Sequence, residues 1–328
     1  MVSCIAIACY SGQNTEDLSP LFSGYSFGRY CSDHALDINA SRNYERDRLL
    51  TFLQQNPETC WVATRGTEPV GVLGLREPSW DKDFWGMRCV SIEHLVASDN
   101  DQESRRRVMK ALVETADQWC RANQAEFALA RPDACNLPAV HALESYGFRY
   151  IETTIVNSRD LRETAALAHA GDRIRIADPN EADLLADIAK DAFLSHHFYA
   201  DPGFPKEKVD AMYRQWVLGS LQSDIWTTVV LEIENRVRGF FTYRIEDLTP
   251  YFGFRFVKWR MAALSKADRG MGYGVQLFNG AMDFVRPQAE IVDSGLTLRN
   301  TRSVNLHNSV GFRILCSSTT LHKWYSQR

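Results

Sequence analysis

Arg269-Gly270-Met271-Gly272-Tyr273-Gly274 runs straight into Val275-Gln276-Leu277-Phe278, and Arg-x-x-Gly-x-Gly at a strand-to-helix junction describes a phosphate-binding turn. The apolar stretch Lys258–Leu264 before it predicts a strand, and Val275–Val285 after it has helical spacing. Glycines at 272 and 274 leave no Cβ between the backbone and an anion. The unpaired N–H groups of the first helical turn would point at that anion, with the positive end of the helix dipole behind them. The turn therefore predicts a diphosphate-bearing ligand, and on its own it leaves open which one.

Outward from this turn, the chain repeats itself. Gly147-Phe148 follows Asn136 by eleven residues, and Gly311-Phe312 follows Asn300 by the same eleven. The copies lie 164 positions apart, half of the 328-residue length. Each anchor reads as a short helix capped by asparagine and closed by glycine, with an apolar strand after it at Tyr150–Val156 or Ile314–Leu321. The flanks agree. In the second half a hairpin is expected from Trp226–Ile233 and Val237–Ile245, after helical spacing at Asn180–Phe193 and Tyr213–Leu221. In the first half the equivalent hairpin is Trp61–Arg65 with Val70–Leu75, followed by Val90–Val96, the helix Ser104–Asn123 and Phe127–Arg131. The expected organisation is an α/β chain of two domains, 1–160 and 173–328, with a weakly patterned linker at 161–172.

Composition narrows the class. With 45% hydrophobic and 24% charged residues, and a net charge of −4, the chain reads as soluble and globular, and nothing in its bulk charge invites nucleic acid or an anionic membrane. No stretch reaches the roughly 18 apolar residues of a membrane span, and the start lacks the basic region of a signal peptide. The eight cysteines are scattered without CxxC spacing, which predicts reduced, structural thiols in a cytoplasmic protein.

The order strand, two helices, antiparallel strands, glycine turn, helix, strand, helix, strand resembles the GNAT N-acyltransferase superfamily over most of both halves, carried by Arg269-x-x-Gly272-x-Gly274 and by the Asn300…Gly311-Phe312 helix. The resemblance implies two tandem mixed-sheet domains with acyl-CoA as co-substrate. Its pyrophosphate would lie on the backbone of Gly270, Met271, Gly272, Tyr273 and Gly274 beside Arg269. The backbone of Ala262, Ala263 and Leu264 would pair with the pantetheine arm and polarise the thioester carbonyl, and Asn300 would cap its helix near that arm. In the first half the aligned positions are Arg105, Val108 and Lys110, with no glycine nearby, so that half is expected to be a degenerate copy.

Where the family pattern has a tyrosine proton donor, this sequence has His307; its first-half counterpart is Leu143. His307 is the expected acid for the departing thiolate. A narrower resemblance, to nucleotide-amino-sugar acyltransferases of the TDP-fucosamine type, is carried by Ser79-Trp80-Asp81-Lys82-Asp83-Phe84-Trp85-Gly86 and by the segment from Ser195 to Trp216. It implies an acceptor site drawing on His196, His197, Tyr199, Asp201, Tyr213 and Trp216, to which Tyr243 adds a further aromatic. Adjacent histidines at 196 and 197 lack a third ligand at helical spacing, so no metal is expected. Glu246 and Asp247 are candidate carboxylates for deprotonating the amine through water. The leading acceptor is a nucleotide-linked amino-deoxy sugar. An amino acid, a polyamine or an aminoglycoside is the alternative, as is a silent acyl-CoA-binding module. A carrier-protein donor and a homodimer stay open.

Overall fold

The computed structural model describes residues 4–12, 18–98, 101–162, 173–190 and 192–325. Two compact units divide the chain: Met1–Thr153 together with Cys316–Arg328, and Thr154–Leu315.

The first unit contains β1 (Ile5–Cys9), α1 (Ile38–Gln55), β2 (Cys60–Arg65), β3 (Glu68–Arg76), α2 (Ser79–Trp85), β4 (Cys89–Ala97), α3 (Gln102–Ala122), β5 (Phe127–Ala130) and α4 (Leu137–Ser145). The strand β6 (Arg149–Asp160) begins here and from Thr154 belongs to the second unit. That unit continues with β7 (Arg173–Ile176), α5 (Ala182–Lys190), α6 (His197–Ala200), α7 (Lys206–Leu221), β8 (Thr227–Ile233), β9 (Arg236–Asp247), α8 (Thr249–Phe252), β10 (Arg255–Leu264), α9 (Tyr273–Val285), β11 (Ile291–Thr297) and α10 (Thr301–Ser309). The last strand, β12 (Arg313–Trp324), returns to the first unit from Cys316 onward.

Strand order is β1-β2-β3-β4-β5-β12 in the first unit and β6-β11-β10-β9-β8-β7 in the second. Only β4 with β5 and β10 with β11 run parallel among the registers described. Both units place a long amphipathic helix on the sheet: Val108, Leu112 and Val113 of α3 pack on Leu73, Val90 and Ala128, and Leu277, Ala281 and Met282 of α9 pack on Val229, Phe241 and Val257.

The expected domain boundary differs from this division. Thr154–Asp160 pair antiparallel with β11, and Leu321–Trp324 pair antiparallel with β5, so each sheet takes its closing strand from the far side of a simple cut at residue 160 or 173. The reason is burial: Leu161 lies in the core of the second unit, and Leu321 in that of the first. Residues 163–172 of the expected linker fall outside the described residues.

The repeat anchors behave alike. Gly147 and Gly311 take φ of 85° and 83°, and the N–H groups of Phe148 and Phe312 reach back to the carbonyls of Leu143 and His307 at 3.2 and 3.0 Å. Asn300 caps α10 by accepting from the Ser303 N–H at 3.2 Å, whereas the Asn136 side chain makes no such bond to α4. Helix α1, which lacks a clear apolar stripe, and the short α2 over the Trp80–Gly86 motif were not legible as helices in the sequence.

Candidate active site

β10 and β11 pair over only three rungs, Phe256 with Ile291, Val257 with Val292 and Lys258 with Asp293. The last rung is a buried ion pair, Lys258 Nζ to Asp293 Oδ2 at 2.8 Å. Beyond it the strands part. β10 stays bonded to β9 through Ala262 with Phe241, Ala263 with Phe240 and Leu264 with Gly239, which leaves the opposite backbone edge of Ala262–Leu264 facing the gap. A β-bulge at Arg260 falls where the strands separate, and such an extra residue bends a strand and re-aims its side chains. Gly239 makes the tight β9–β10 approach possible, because a Cβ there would sit 2.5 Å from the Ala263 carbonyl oxygen.

The gap holds a cavity of about 180 Å³. Its walls come from β10 (Trp259–Ala262), β11 (Ser294–Thr297), α10 with its cap, and the segment before and along α7. Ser294 Oγ and His307 Nε2, both buried in this lining, have no partner among the described residues. Water or ligand groups must satisfy them, since an unmatched buried polar atom costs roughly 1–3 kcal/mol.

At the far end of β10 the chain enters the glycine turn. Gly270 and Gly272 have φ of 81° and 86°, the left-handed region, and no atom lies within 4 Å of a Cβ built on either. Gly272 is the N-cap of α9 and offers no side chain to its first-turn amides. Gly274 lies in the first turn of α9, where a Cβ would sit 3.1 Å from the Leu306 side chain of α10. The turn is braced from behind. Arg238 Nη1 donates to Asp268 Oδ1 at 2.9 Å, Ser265 Oγ donates to the other Asp268 oxygen, and Arg269 Nε donates to the Leu264 carbonyl at 3.2 Å. Gly270, Met271 and Gly272 are exposed, so an anion meets backbone without displacing a packed side chain.

Among its described residues the first unit lacks this arrangement. Asp101 caps α3, and its carboxylate accepts from Glu103 N–H at 3.3 Å and Ser104 N–H at 3.1 Å. The amides that a phosphate would need are taken by a negative charge. Leu143, the counterpart of His307, is fully buried in the core.

His307 is placed at the cavity, but its protonation differs from that of a resting acid. Its Nδ1 lies 2.7 Å from the Ser303 carbonyl oxygen, which can only accept, so Nδ1 carries the hydrogen and Nε2 presents a lone pair. The ring stacks on Trp259 at 5.1 Å and meets the edges of Phe278 and Phe312 at 5.0 Å. Burial among these rings pushes its pKa down to about 4, against which the Ser303 carbonyl works only partly. At neutral pH the imidazole is uncharged and accepts a hydrogen bond.

Of the expected acceptor residues, His196, Tyr213 and Trp216 line the cavity. The others have structural duties. His197 is buried against His196 and Phe198, Tyr199 stacks on Tyr213 at 6.0 Å and donates to Asp210, and Asp201 accepts from the Gly203 N–H at 2.9 Å to hold a turn. Tyr243 sits in the hydrophobic core with its hydroxyl on Gln288 Oε1 at 3.3 Å, because its β9 register turns it inward under α9. Glu246 faces Lys258 and Arg244, each at 3.6 Å, and Asp247 caps the Thr249 N–H at 2.9 Å; neither lines the cavity. Trp259, Arg260, Ser294 and Phe278 do line it and were missed. Nothing in the run Lys258-Trp259-Arg260 marks a bulge, and Ser294-Gly295 inside an apolar strand was the one hint of a wall kept open by small residues. Among the described residues no group of three or more His, Cys, Asp or Glu is placed to hold a metal, and no helix is long and apolar enough to cross a membrane.

A mixed sheet that splays at its parallel rung, with a glycine turn and helix closing the gap, defines the class: this is the GNAT fold, in two tandem copies. Residues 28–148 match the acetyltransferase (GNAT) family, a match that falls in the first unit, whereas the glycine turn and the cavity lie in the second. The whole chain is similar to a GCN5-related N-acetyltransferase from Sphaerobacter thermophilus, with TM-score 0.63, 12% identity, and 98% of this chain and 95% of that one covered. It is also similar to a tandem GNAT protein from the clavulanic acid biosynthesis pathway, with TM-score 0.57, 14% identity, and 99% and 100% covered. A third likeness is to the GCN5-related glucosamine N-acetyltransferase region of a fungal multi-domain GH3 β-N-acetylglucosaminidase, with TM-score 0.65 and 14% identity, covering 98% of this chain and 38% of that one. No curated protein matches.

Proposed function

We propose that the protein is an acyl-CoA-dependent N-acyltransferase with one working site, in the second unit, that moves an acetyl or short acyl group onto the amine of a small molecule. The observation that carries this reading is the backbone edge of Ala262–Leu264 left unpaired by β11, running from a polar cavity to an uncapped helix N-terminus at Gly272. An extended pantetheine arm can add to that edge as a strand would, its pyrophosphate reaching the first-turn amides of α9 beside Arg269. An N–H of the same edge supplies the donor that a developing thioester oxyanion needs.

The chemistry requires that the amine nitrogen attack the thioester carbon, that the C–S bond break, and that the amine's surplus proton end on sulfur. His307 Nε2, a lone pair in the cavity, takes that proton from nitrogen and returns it to the thiolate. The acid role expected from the sequence thus follows proton uptake and does not precede it. Ser294 Oγ can accept from the incoming amine and hold its lone pair toward the carbonyl.

A nucleotide-linked amino-deoxy sugar is the leading acceptor, on the resemblance of Ser79–Gly86 and of Ser195–Trp216 and on the aromatic pair Tyr213 and Trp216 at the cavity. The test is release of free thiol from acetyl-CoA with a panel of amines. Release with a TDP-amino sugar and none with aminoglycosides supports the reading; CoA binding without release on any amine overturns it in favour of a silent binding module.

A further inference from the structure

Arg260 is the extra residue of the β10 bulge and lines the cavity. Its guanidinium lies 5.8 Å from the Trp216 ring and 4.8 Å from that of Trp226. No carboxylate among the described residues pairs with it, and a second guanidinium, that of Arg244, lies 5.3 Å from the same Trp226 ring. Arg244 has Glu246 at 3.6 Å, whereas among the described residues Arg260 meets the indole rings of Trp216 and Trp226 and no carboxylate. The bulge of the first unit makes the contrast. There the extra residue of β4 is Glu93, and it is neutralised by Arg76 at 2.7 Å.

A half-buried guanidinium is always charged and is stabilised by rings only in part; its fixed fork of donors suits a planar or tetrahedral oxyanion. Burial and the like charge of Arg244 both press against its protonated form, so an arriving anion relieves a strain that the free protein carries. We propose that Arg260 is the anion-binding residue of the acceptor site, and that the amine acceptor carries a carboxylate or phosphate. This deepens the acyl-transfer reading and rests on it for the word acceptor. It also divides the alternatives: a nucleotide-linked amino sugar or an amino acid fits, while a polyamine or an aminoglycoside brings only positive charge to a positive wall.

Matched amines test this with thiol release from acetyl-CoA: glucosamine against glucosamine 1-phosphate, and an α-amino acid against its amide, with spermidine as the cationic arm. The anionic member of a pair is expected to have at least tenfold higher kcat/KM, and which pair shows the preference separates phosphate from carboxylate. Arg260→Gln should remove that preference through KM while leaving acetyl-CoA affinity unchanged and costing the neutral amine only a small part of what its anionic partner loses, and Arg260→Lys should restore part of it. Equal use of charged and neutral partners, preference for spermidine, or equal losses for both partners in Arg260→Gln overturns the proposal. Tryptophan fluorescence read against inorganic phosphate, without CoA, gives an arm independent of catalysis. Quenching that Arg260→Gln abolishes, in a protein that acylates no amine, would sink the transferase and keep the anion site; no quenching and no anionic preference would sink the site.

Discussion

His307 carries the sharpest consequences at the scale of single residues. Its neutral resting state means that the ring should not contribute an ionisation to the rate near neutrality, and His307→Phe should lower kcat at least tenfold while acetyl-CoA affinity holds, read by thiol release and by titration. An unchanged kcat would remove it from the proton path. The same ring has a thermodynamic signature. Its folded pKa of about 4 lies below the ordinary 6.5, so between these values the unfolded chain takes a proton that the native protein refuses. Stability therefore falls as pH drops through that window, by up to about 3 kcal/mol. Urea midpoints measured at pH 7 and pH 4 should differ less in His307→Phe than in the wild type. His94 in the first unit, pushed down to about 3 by burial and by Arg48 and Arg76, adds a loss of the same sign that the variant keeps. The sequence marked position 307 by its distance from Asn300, but it could not say which nitrogen holds the hydrogen. That depended on a helical carbonyl one turn back and three aromatic neighbours.

Among the elements, the two helix N-termini differ in what they offer an anion. α9 begins at a glycine with φ of 86° and no capping side chain, and α3 begins at an aspartate that caps itself. Gly272→Glu forces a side chain into a left-handed backbone and sets a carboxylate at the amides. CoA affinity should fall at least about a hundredfold by calorimetry, since like charge and lost donors act together; near wild-type affinity would place the pyrophosphate elsewhere. Removing the first cap by Asp101→Ala should cost about 1 kcal/mol in the first unit without creating a CoA site, because neither glycine is present there. This contrast was legible in the sequence, since the composition of a turn fixes which backbone angles and charges it can carry. The bulge at Arg260 was not. A bulge is decided by how two strands share hydrogen bonds, and an alternating strand reads the same with or without one.

For the whole molecule, the closing strands link the two units through the covalent chain. Lys323, on β12, donates to the Tyr146 carbonyl at 2.5 Å and to the Asp117 carboxylate, both in the first unit, with the two charges nearly buried. Cutting the chain after Leu315 should therefore unfold the first unit, which lies almost wholly before residue 154, and Lys323→Ala alone should cost about 1–3 kcal/mol, because Asp117 loses its buried partner but keeps Arg121 at 2.9 Å. Circular dichroism melts with proteolysis of the separated fragments would show it; a first unit that keeps its melting temperature after the cut would refute the exchange. The sequence by itself determined the tandem repeat, the glycine turn, the loss of that turn in the first copy and the position of the histidine, because these rest on local spacing and on backbone freedom at particular residues. Only the tertiary structure decided which strand closes which sheet, which aromatics line the cavity and which are core, and that Arg260 faces the cavity without a carboxylate among the described residues. Those depend on pairing and burial between segments distant in the chain, and no local pattern records with whom a strand will share its hydrogen bonds.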